Sequence, residues 1–241
     1  MRIITILFLI GTLAAACTKA PSQQPTVKTI DNHMPISDSL TYLALGDSYT
    51  IGEAVPQEQS FPYQLVHSLN ATNHFVEKPE IIAVTGWTTG DLKKGITSRD
   101  LKNHQYNIVT LLIGVNNQYR GYSKEDYRTE FIELLNTAIS YAGGNKQHVF
   151  VLSIPDWSAT PFAKANGFDL NKASTEIDLF NAINKQETEA AGVAYVDITP
   201  SSRQAVNDYS LIANDGLHPA GRMYSLWVNQ LLPVVNSQVK Y

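Results

Sequence analysis

LALGDSYTIG, residues 43–52, decides the reading of this chain. An apolar run of Leu43, Ala44 and Leu45 stops at Gly46, and Asp47, Ser48 and Tyr49 follow before a second glycine, Gly52. A short apolar run bounded by glycine fits a buried strand. What lies beyond it has two readings. Ser48 can cap a helix that begins there, or it can be a nucleophile held at the carboxyl end of a sheet strand. The second reading requires a base, an orienting acid and oxyanion donors elsewhere, so the remaining sequence discriminates between them.

From Leu40 onward the pattern alternates. Apolar runs at Tyr42 to Leu45, Ile81 to Thr85, Ile108 to Ile113, Val149 to Ile154 and Ala194 to Val196 fit strands. Between them lie segments with helical spacing, marked by Phe61, Leu65 and Leu69, by Tyr127, Phe131, Leu134, Leu135 and Ile139, and by Ile177, Phe180, Ile183 and Asn184. A last one runs from about Pro219 to Val235, with Met223, Leu226, Trp227 and Leu231 on one side. Apolar strands alternating with amphipathic helices imply a parallel sheet covered on both faces. Residues 39–241 therefore read as one three-layer α/β/α domain with about five strands.

In open parallel sheets, ligands bind beyond the carboxyl ends of the strands. The residues that follow the strands are Gly46-Asp47-Ser48, Gly86-Trp87-Thr88-Thr89-Gly90, Gly114-Val115-Asn116-Asn117, Pro155-Asp156-Trp157 and, after a loop, Asp215-Gly216-Leu217-His218-Pro219. A serine hydroxyl needs a base to take its proton, and the base needs a partner to fix its tautomer. His218 is the candidate base. Asp215, three residues earlier, can fold back onto one imidazole nitrogen while the other faces Ser48. Acyl transfer also needs donors for the developing oxyanion. The N–H groups of Ser48 and Gly86 and the side-chain NH2 of Asn116 supply three. Asp47 reads as structural, shaping the turn. Trp87, Tyr119 and Trp157 follow three rim loops and read either as walls for an acyl chain or sugar or as ordinary packing.

In this order Ser48, Gly86, Asn116 and His218 resemble the SGNH, or GDSL, hydrolase superfamily. GDSY matches its first block, with Tyr49 where Leu is common; TGWTTGDL resembles the second; IGVNNQ resembles the third, with Asn117 where the family commonly has Asp; DGLHP matches the fifth. The resemblance covers residues 40 to 235. It implies a flavodoxin-like fold and hydrolysis of esters or thioesters through an acyl-serine intermediate, on substrates such as lysophospholipids, aryl esters or acetylated sugars, without a cofactor. The GxSxG elbow of α/β-hydrolases is not matched, since Thr50 stands two residues after Ser48. A rival reading is an inactive glycan- or lipid-binding module on the same fold, or a structural envelope component.

The first residues have a separate character. Met1-Arg2 is a basic start, Ile3 to Leu13 is apolar, and Ala14, Ala15 and Ala16 lead into Cys17, the single cysteine. This describes an export signal over residues 1–16. It resembles a bacterial lipoprotein signal, which implies lipidation of Cys17 and membrane attachment through that lipid; the alternative is a plain secretory signal that happens to contain a cysteine, and a secreted protein. Ala14 stands where that family usually has Leu. Thr18 after Cys17 is, by resemblance, compatible with an outer-membrane destination in the cell envelope. Residues 17–38, polar and carrying Pro21, Pro25 and Pro35, read as a tether.

Totals exclude several other classes. The chain has 241 residues and carries 18 basic against 22 acidic side chains, so the basic stripe of a nucleic-acid binder is missing. Neither a P-loop nor a GxGxxG fingerprint occurs. His33, His67, His74, His104 and His148 show no ligand spacing, so no metal site is expected.

Overall fold

The computed structural model describes residues 39–72, 75–99, 101 and 104–240. The signal peptide, Cys17 and the tether expected up to residue 38 lie outside the described residues, as does His74.

In chain order the elements are β1 (Tyr42–Gly46), α1 (Ser48–Ile51), α2 (Phe61–Asn70), β2 (Glu80–Ala83), α3 (Thr89–Thr97), β3 (Ile108–Leu112), α4 (Val115–Tyr119) and α5 (Lys124–Tyr141). They continue with β4 (Val149–Leu152), α6 (Pro161–Ala165), α7 (Leu170–Ala190), β5 (Ala194–Val196), α8 (Thr199–Arg203) and α9 (Gly221–Gln238). Among the described residues five strands form one parallel sheet in the order β2-β1-β3-β4-β5. This is the flavodoxin-like order, and it reverses direction between β1 and β3, where such sheets bind ligands. Gly46 at the end of β1 is in register with Ala83 of β2 and Leu112 of β3, so three strand ends finish level at one rim.

The sequence explains the layers. β1, β3 and β4 are wholly buried and nearly all apolar, as strands covered on both faces must be. The exception, Thr110, pairs its hydroxyl with Tyr42 Oη at 2.9 Å. α2 packs against α9, and α3, α5 and α7 lie side by side. On α9 the buried residues Met223, Tyr224, Trp227, Val228, Leu231 and Val235 recur every three or four positions, which is one helix face. Each large side chain buried in this way contributes about 1.5–3 kcal/mol.

Strands end earlier than the apolar runs suggest. β2 stops at Ala83 because its partner β1 ends at Gly46, and Val84 and Thr85 are exposed. β3 stops at Leu112, and the Ile113 carbonyl accepts the Tyr127 hydroxyl. β4 stops at Leu152. Beyond it the N–H and C=O of Ile154 bond the Asn181 side chain on α7 instead of a strand, at 2.7 and 2.9 Å.

Candidate active site

The glycine exit from β1 has a steric cause. A Cβ on Gly46 would lie 2.0 Å from Thr50 Oγ1 and 2.5 Å from the Leu112 carbonyl oxygen. No side chain fits there, and the chain can turn at once from the strand into α1. The cap of that helix is Asp47 and not Ser48: the Tyr49 N–H donates to Asp47 Oδ1 at 3.0 Å. Ser48 is thus the first residue of α1, at the lip of the sheet. Burial pushes the Asp47 carboxyl up to about 7, against the hydrogen bonds from the backbone N–H groups of Tyr49 and of Asp47 itself.

His218 arrives on a closed loop. Ile212 pairs with Pro219, and the Ala213 N–H donates to the His218 carbonyl at 2.8 Å. Within the loop, Asp215 Oδ1 accepts the N–H groups of Leu217 and His218, at 2.9 and 3.0 Å. Its other oxygen lies 2.5 Å from His218 Nδ1. Partial burial raises the Asp215 carboxyl, but the imidazole and the two backbone donors outweigh burial and hold it below its usual range. The Tyr49 ring stands 5.7 Å from the imidazole and backs it.

One cavity of about 190 Å³ joins these parts. Ser48, Asn116 and His218 supply its polar groups, and Tyr49, Val115, Tyr119, Trp157, Phe162 and Leu217 its apolar walls. Ser48 and His218, 170 positions apart in the chain, therefore face the same space. No hydrogen bond joins Ser48 Oγ to the imidazole among the described residues. In free enzymes such contacts are commonly long and tighten only on substrate.

Asn116 donates one of its side-chain N–H groups to the Trp87 carbonyl at 2.9 Å. Gly86 is left-handed, with φ of 82°, and its carbonyl accepts Arg120 Nη2 at 2.7 Å. Gly86 and Asp215 are not part of the cavity wall; Asp215 stands behind His218. Trp87 is not a wall residue either. Its ring packs on α3, where a Cβ at Gly95 would come within 2.1 Å of the indole. Tyr119 and Trp157 do line the cavity. Among the described residues, no group of three His, Cys, Asp or Glu side chains is arranged to hold a metal ion.

A model of the GDSL-like lipase/acylhydrolase family matches residues 44–226, more than half of the chain. The chain belongs to the GDSL-like lipase/acylhydrolase family. It is an ester hydrolase. Solved structures share the fold at low identity. The psychrotrophic esterase EstA from Pseudoalteromonas sp., solved with monoethylphosphonate as inhibitor, is 16% identical with a TM-score of 0.63, over 83% of this chain and 98% of that one. TesA is 15% identical with a TM-score of 0.65, over 82% and 99%. Axe2, an acetylxylan esterase from Geobacillus stearothermophilus, is 16% identical with a TM-score of 0.62, over 81% and 94%. No curated protein sequence matches the chain.

This GDSL-family hydrolase departs from the common family pattern at Asn117, and the departure has a physical reason. Asn117 is fully buried and uses both ends of its amide: Oδ1 accepts the Thr89 N–H at 3.0 Å and Nδ2 donates to Thr89 Oγ1 at 2.7 Å. The Thr89 hydroxyl in turn donates to Glu130. With that proton committed to Glu130, the Thr89 oxygen needs a donor, which an amide supplies and a carboxylate does not. Asn116, Asn117 and Arg120 on α4 and its C-cap together tie down the segment 86–89 through four hydrogen bonds, to Trp87, Thr89 and Gly86.

Sequence reasoning missed Arg120, and it missed the support under Trp157. Asp156, almost fully buried, accepts Ser158 Oγ, Ser174 Oγ and Arg203 Nε at 2.6, 2.6 and 2.8 Å. Trp157 Nε1 donates to Gln118 Oε1 at 2.8 Å. An acid in the segment that follows the fourth strand was the available signal; its partners, up to 47 positions away, gave none.

Proposed function

We propose that the enzyme hydrolyses carboxylic esters through an acyl-serine intermediate, with Ser48 as nucleophile, His218 as general base and Asp215 as its orienting partner. The N–H of Ser48 and the second side-chain N–H of Asn116, both at the cavity, are oxyanion donors, and the third is the N–H of Gly86, outside the wall on the segment that Asn116 ties to it through Trp87. The observation that carries this reading is the single cavity shared by Ser48 and His218, with a carboxylate 2.5 Å behind the imidazole.

Chemically, Ser48 Oγ bonds to the substrate carbonyl carbon while its proton passes to His218 Nε2. The carbonyl π pair moves onto oxygen, where the three donors meet the negative charge. The oxyanion collapses, the bond to the leaving oxygen breaks, and that oxygen takes the proton from Nε2. Water then gives a proton to Nε2 and adds to the acyl carbon. A second collapse returns the proton to Ser48 Oγ and frees the acid. Asp215, held ionised, fixes the tautomer that leaves Nε2 as acceptor and stabilises the imidazolium. The cavity is smaller than the roughly 300–1,000 Å³ of drug-sized ligand sites, so the acyl group it takes is short.

Treatment with a fluorophosphonate followed by peptide mass spectrometry tests the nucleophile. The expected adduct sits on Ser48; the absence of any serine adduct favours the inactive binding module. A series of p-nitrophenyl esters tests the acyl pocket, and activity confined to long chains would overturn the short-acyl reading. We propose too that Cys17 carries the lipid of an exported, envelope-attached protein, on the strength of the basic start and the apolar and small residues before it. Incorporation of labelled palmitate that persists in Cys17→Ala would refute that.

A further inference from the structure

The oxyanion donors of Gly86 and Asn116 come from strand ends that are not paired with each other. Gly86 follows β2, Asn116 follows β3, and β1 lies between those strands in the sheet. Two strand spacings, about 10 Å, separate the two exits. No ladder bond fixes one exit against the other, so their relative position depends on the bonds between α4 and segment 86–89. Among these, the two between Asn117 and Thr89 are the ones sealed from water, since both residues are fully buried.

That pair has a direction. The Thr89 N–H can only donate, so Asn117 Oδ1 must face it. Asn117 Nδ2 then faces Thr89 Oγ1, and the hydroxyl oxygen accepts. The hydroxyl proton has to find its acceptor elsewhere, and Glu130, 41 positions away on α5, receives it. A Cβ on Gly90 would lie 3.2 Å from Glu130 Oε1, so the glycine leaves the carboxylate room beside the first turn of α3. Negative charge is favoured at that end of a helix.

We infer that Glu130 is a positioning residue for ester hydrolysis: as the last acceptor in the chain from Asn117 through Thr89, it holds the Gly86 and Asn116 donors in register. The inference rests on the acyl-serine reading above and adds to it a carboxylate that stands apart from the reacting groups. Positions 117 and 130 are therefore matched. An amide at 117 requires an acceptor at 130. A carboxylate at 117 would accept both the N–H and the hydroxyl of Thr89, and position 130 would then have to donate; otherwise two acceptors face one proton.

The diagnostic is a change of sign. Tm, and kcat and KM for p-nitrophenyl acetate, are measured for wild type, Glu130→Gln, Asn117→Asp and the double variant. Glu130→Gln keeps an acceptor, now uncharged, and is expected to lower kcat about fivefold, the difference between a charged and a neutral acceptor. Asn117→Asp is expected to lower kcat about a hundredfold, with KM within about threefold of wild type, because displaced donors fail the oxyanion and not the bound ester. In that background Glu130→Gln is expected to raise kcat about tenfold. The new amide donates to Thr89 Oγ1, and the hydroxyl donates to the new carboxylate. One substitution thus harms the natural protein and repairs the variant, whereas loss of stability alone moves both in one direction. Glu130→Gln lowering kcat in both backgrounds, or changing it in neither, overturns the inference while the esterase reading stands. If Asn117→Asp does not fold, Glu130→Ala decides, at a partly exposed helix position where alanine is favoured. A kcat about tenfold below wild type at unchanged KM, most of it kept by Glu130→Gln, sustains the inference, and wild-type kcat overturns it. A wild type that hydrolyses no ester overturns the acyl-serine reading, and this inference with it.

Discussion

Gly46→Ala isolates the feature on which the site stands. The added methyl carbon would lie 2.0 Å from Thr50 Oγ1, 2.8 Å from Thr50 Cβ and 2.5 Å from the Leu112 carbonyl oxygen. The first is the tip of a side chain that can rotate, whereas the second is fixed by the backbone of α1. The third is backbone of a central strand and cannot move without disturbing the pairing of β1 with β3. Overpacking of this kind costs about 1–3 kcal/mol or somewhat more. We expect about 3 kcal/mol, which for a domain of this size lowers Tm by roughly 6–12 °C. The strain passes directly to the adjoining residues, Asp47 and Ser48. A displacement of about 1 Å at a reacting group can reduce rate about a hundredfold. Thermal unfolding and p-nitrophenyl acetate kinetics, the latter well below Tm, read the two effects separately. Thr50→Ala supplies the control. Its Oγ1 is buried without a hydrogen-bond partner, so its removal is expected to change stability by about 1 kcal/mol or less. The double variant loses the Oγ1 contact but keeps those to the residue-50 Cβ, which alanine retains, and to the Leu112 carbonyl, so it recovers only part of the stability. A Gly46→Ala protein with wild-type Tm and turnover, or full rescue by Thr50→Ala, would refute the steric account.

Ser48→Ala and His218→Ala are each expected to lower kcat by about a million-fold, and Asn116→Ala by about a hundred- to a thousand-fold; similar mild losses in all three would mean the roles are misassigned. Arg120→Ala frees the Gly86 carbonyl, so we expect kcat to fall about tenfold with KM little changed, and Arg120→Lys to recover part of the loss; a change in KM alone would place Arg120 in substrate binding instead. Asp47 predicts a pH dependence of stability. Its native carboxyl, raised from 3.8 to about 7, holds a proton that the unfolded chain releases. The stabilising contribution is therefore complete below about pH 3.8 and is lost as pH rises through 7. Asp47→Asn lacks this loss, so denaturant unfolding should show the variant gaining on wild type by roughly 2–4 kcal/mol between pH 4 and 7; a difference constant over that range would refute it.

Much of this was written locally. Strands such as Val149–Leu152 and helices such as Lys124–Tyr141 announce themselves because one period dominates a run long enough to read. Ser48, Asp215 and His218 were legible because each sits in a short segment whose residue types serve one chemistry. α3 was not. Its segment TGDLKKGIT carries two glycines and weak helix formers, and it is held by a capping box between Thr88 and Asp91 and by the Trp87 ring over Gly95. The Thr88-x-x-Asp91 spacing was the signal available for it. The ties from Asn117 to Thr89 and from Arg203 to Asp156 depend on which strand ends meet in space, and neither residue type nor spacing encodes that. The same holds for Gly86 and Trp87, whose neighbours in sequence gave no sign that they stand outside the cavity wall.

Ser48 follows the first strand and His218 precedes the last helix, with α2 and α9 packed together to bring those ends to one rim. A ribosome must deliver nearly the whole domain before the hydroxyl and the imidazole can meet. With Ser48 and His218 in the roles proposed above, partial products and broken fragments carry one half of the machinery each. On that reading turnover certifies completed folding, and unfinished copies spare the acyl esters around them.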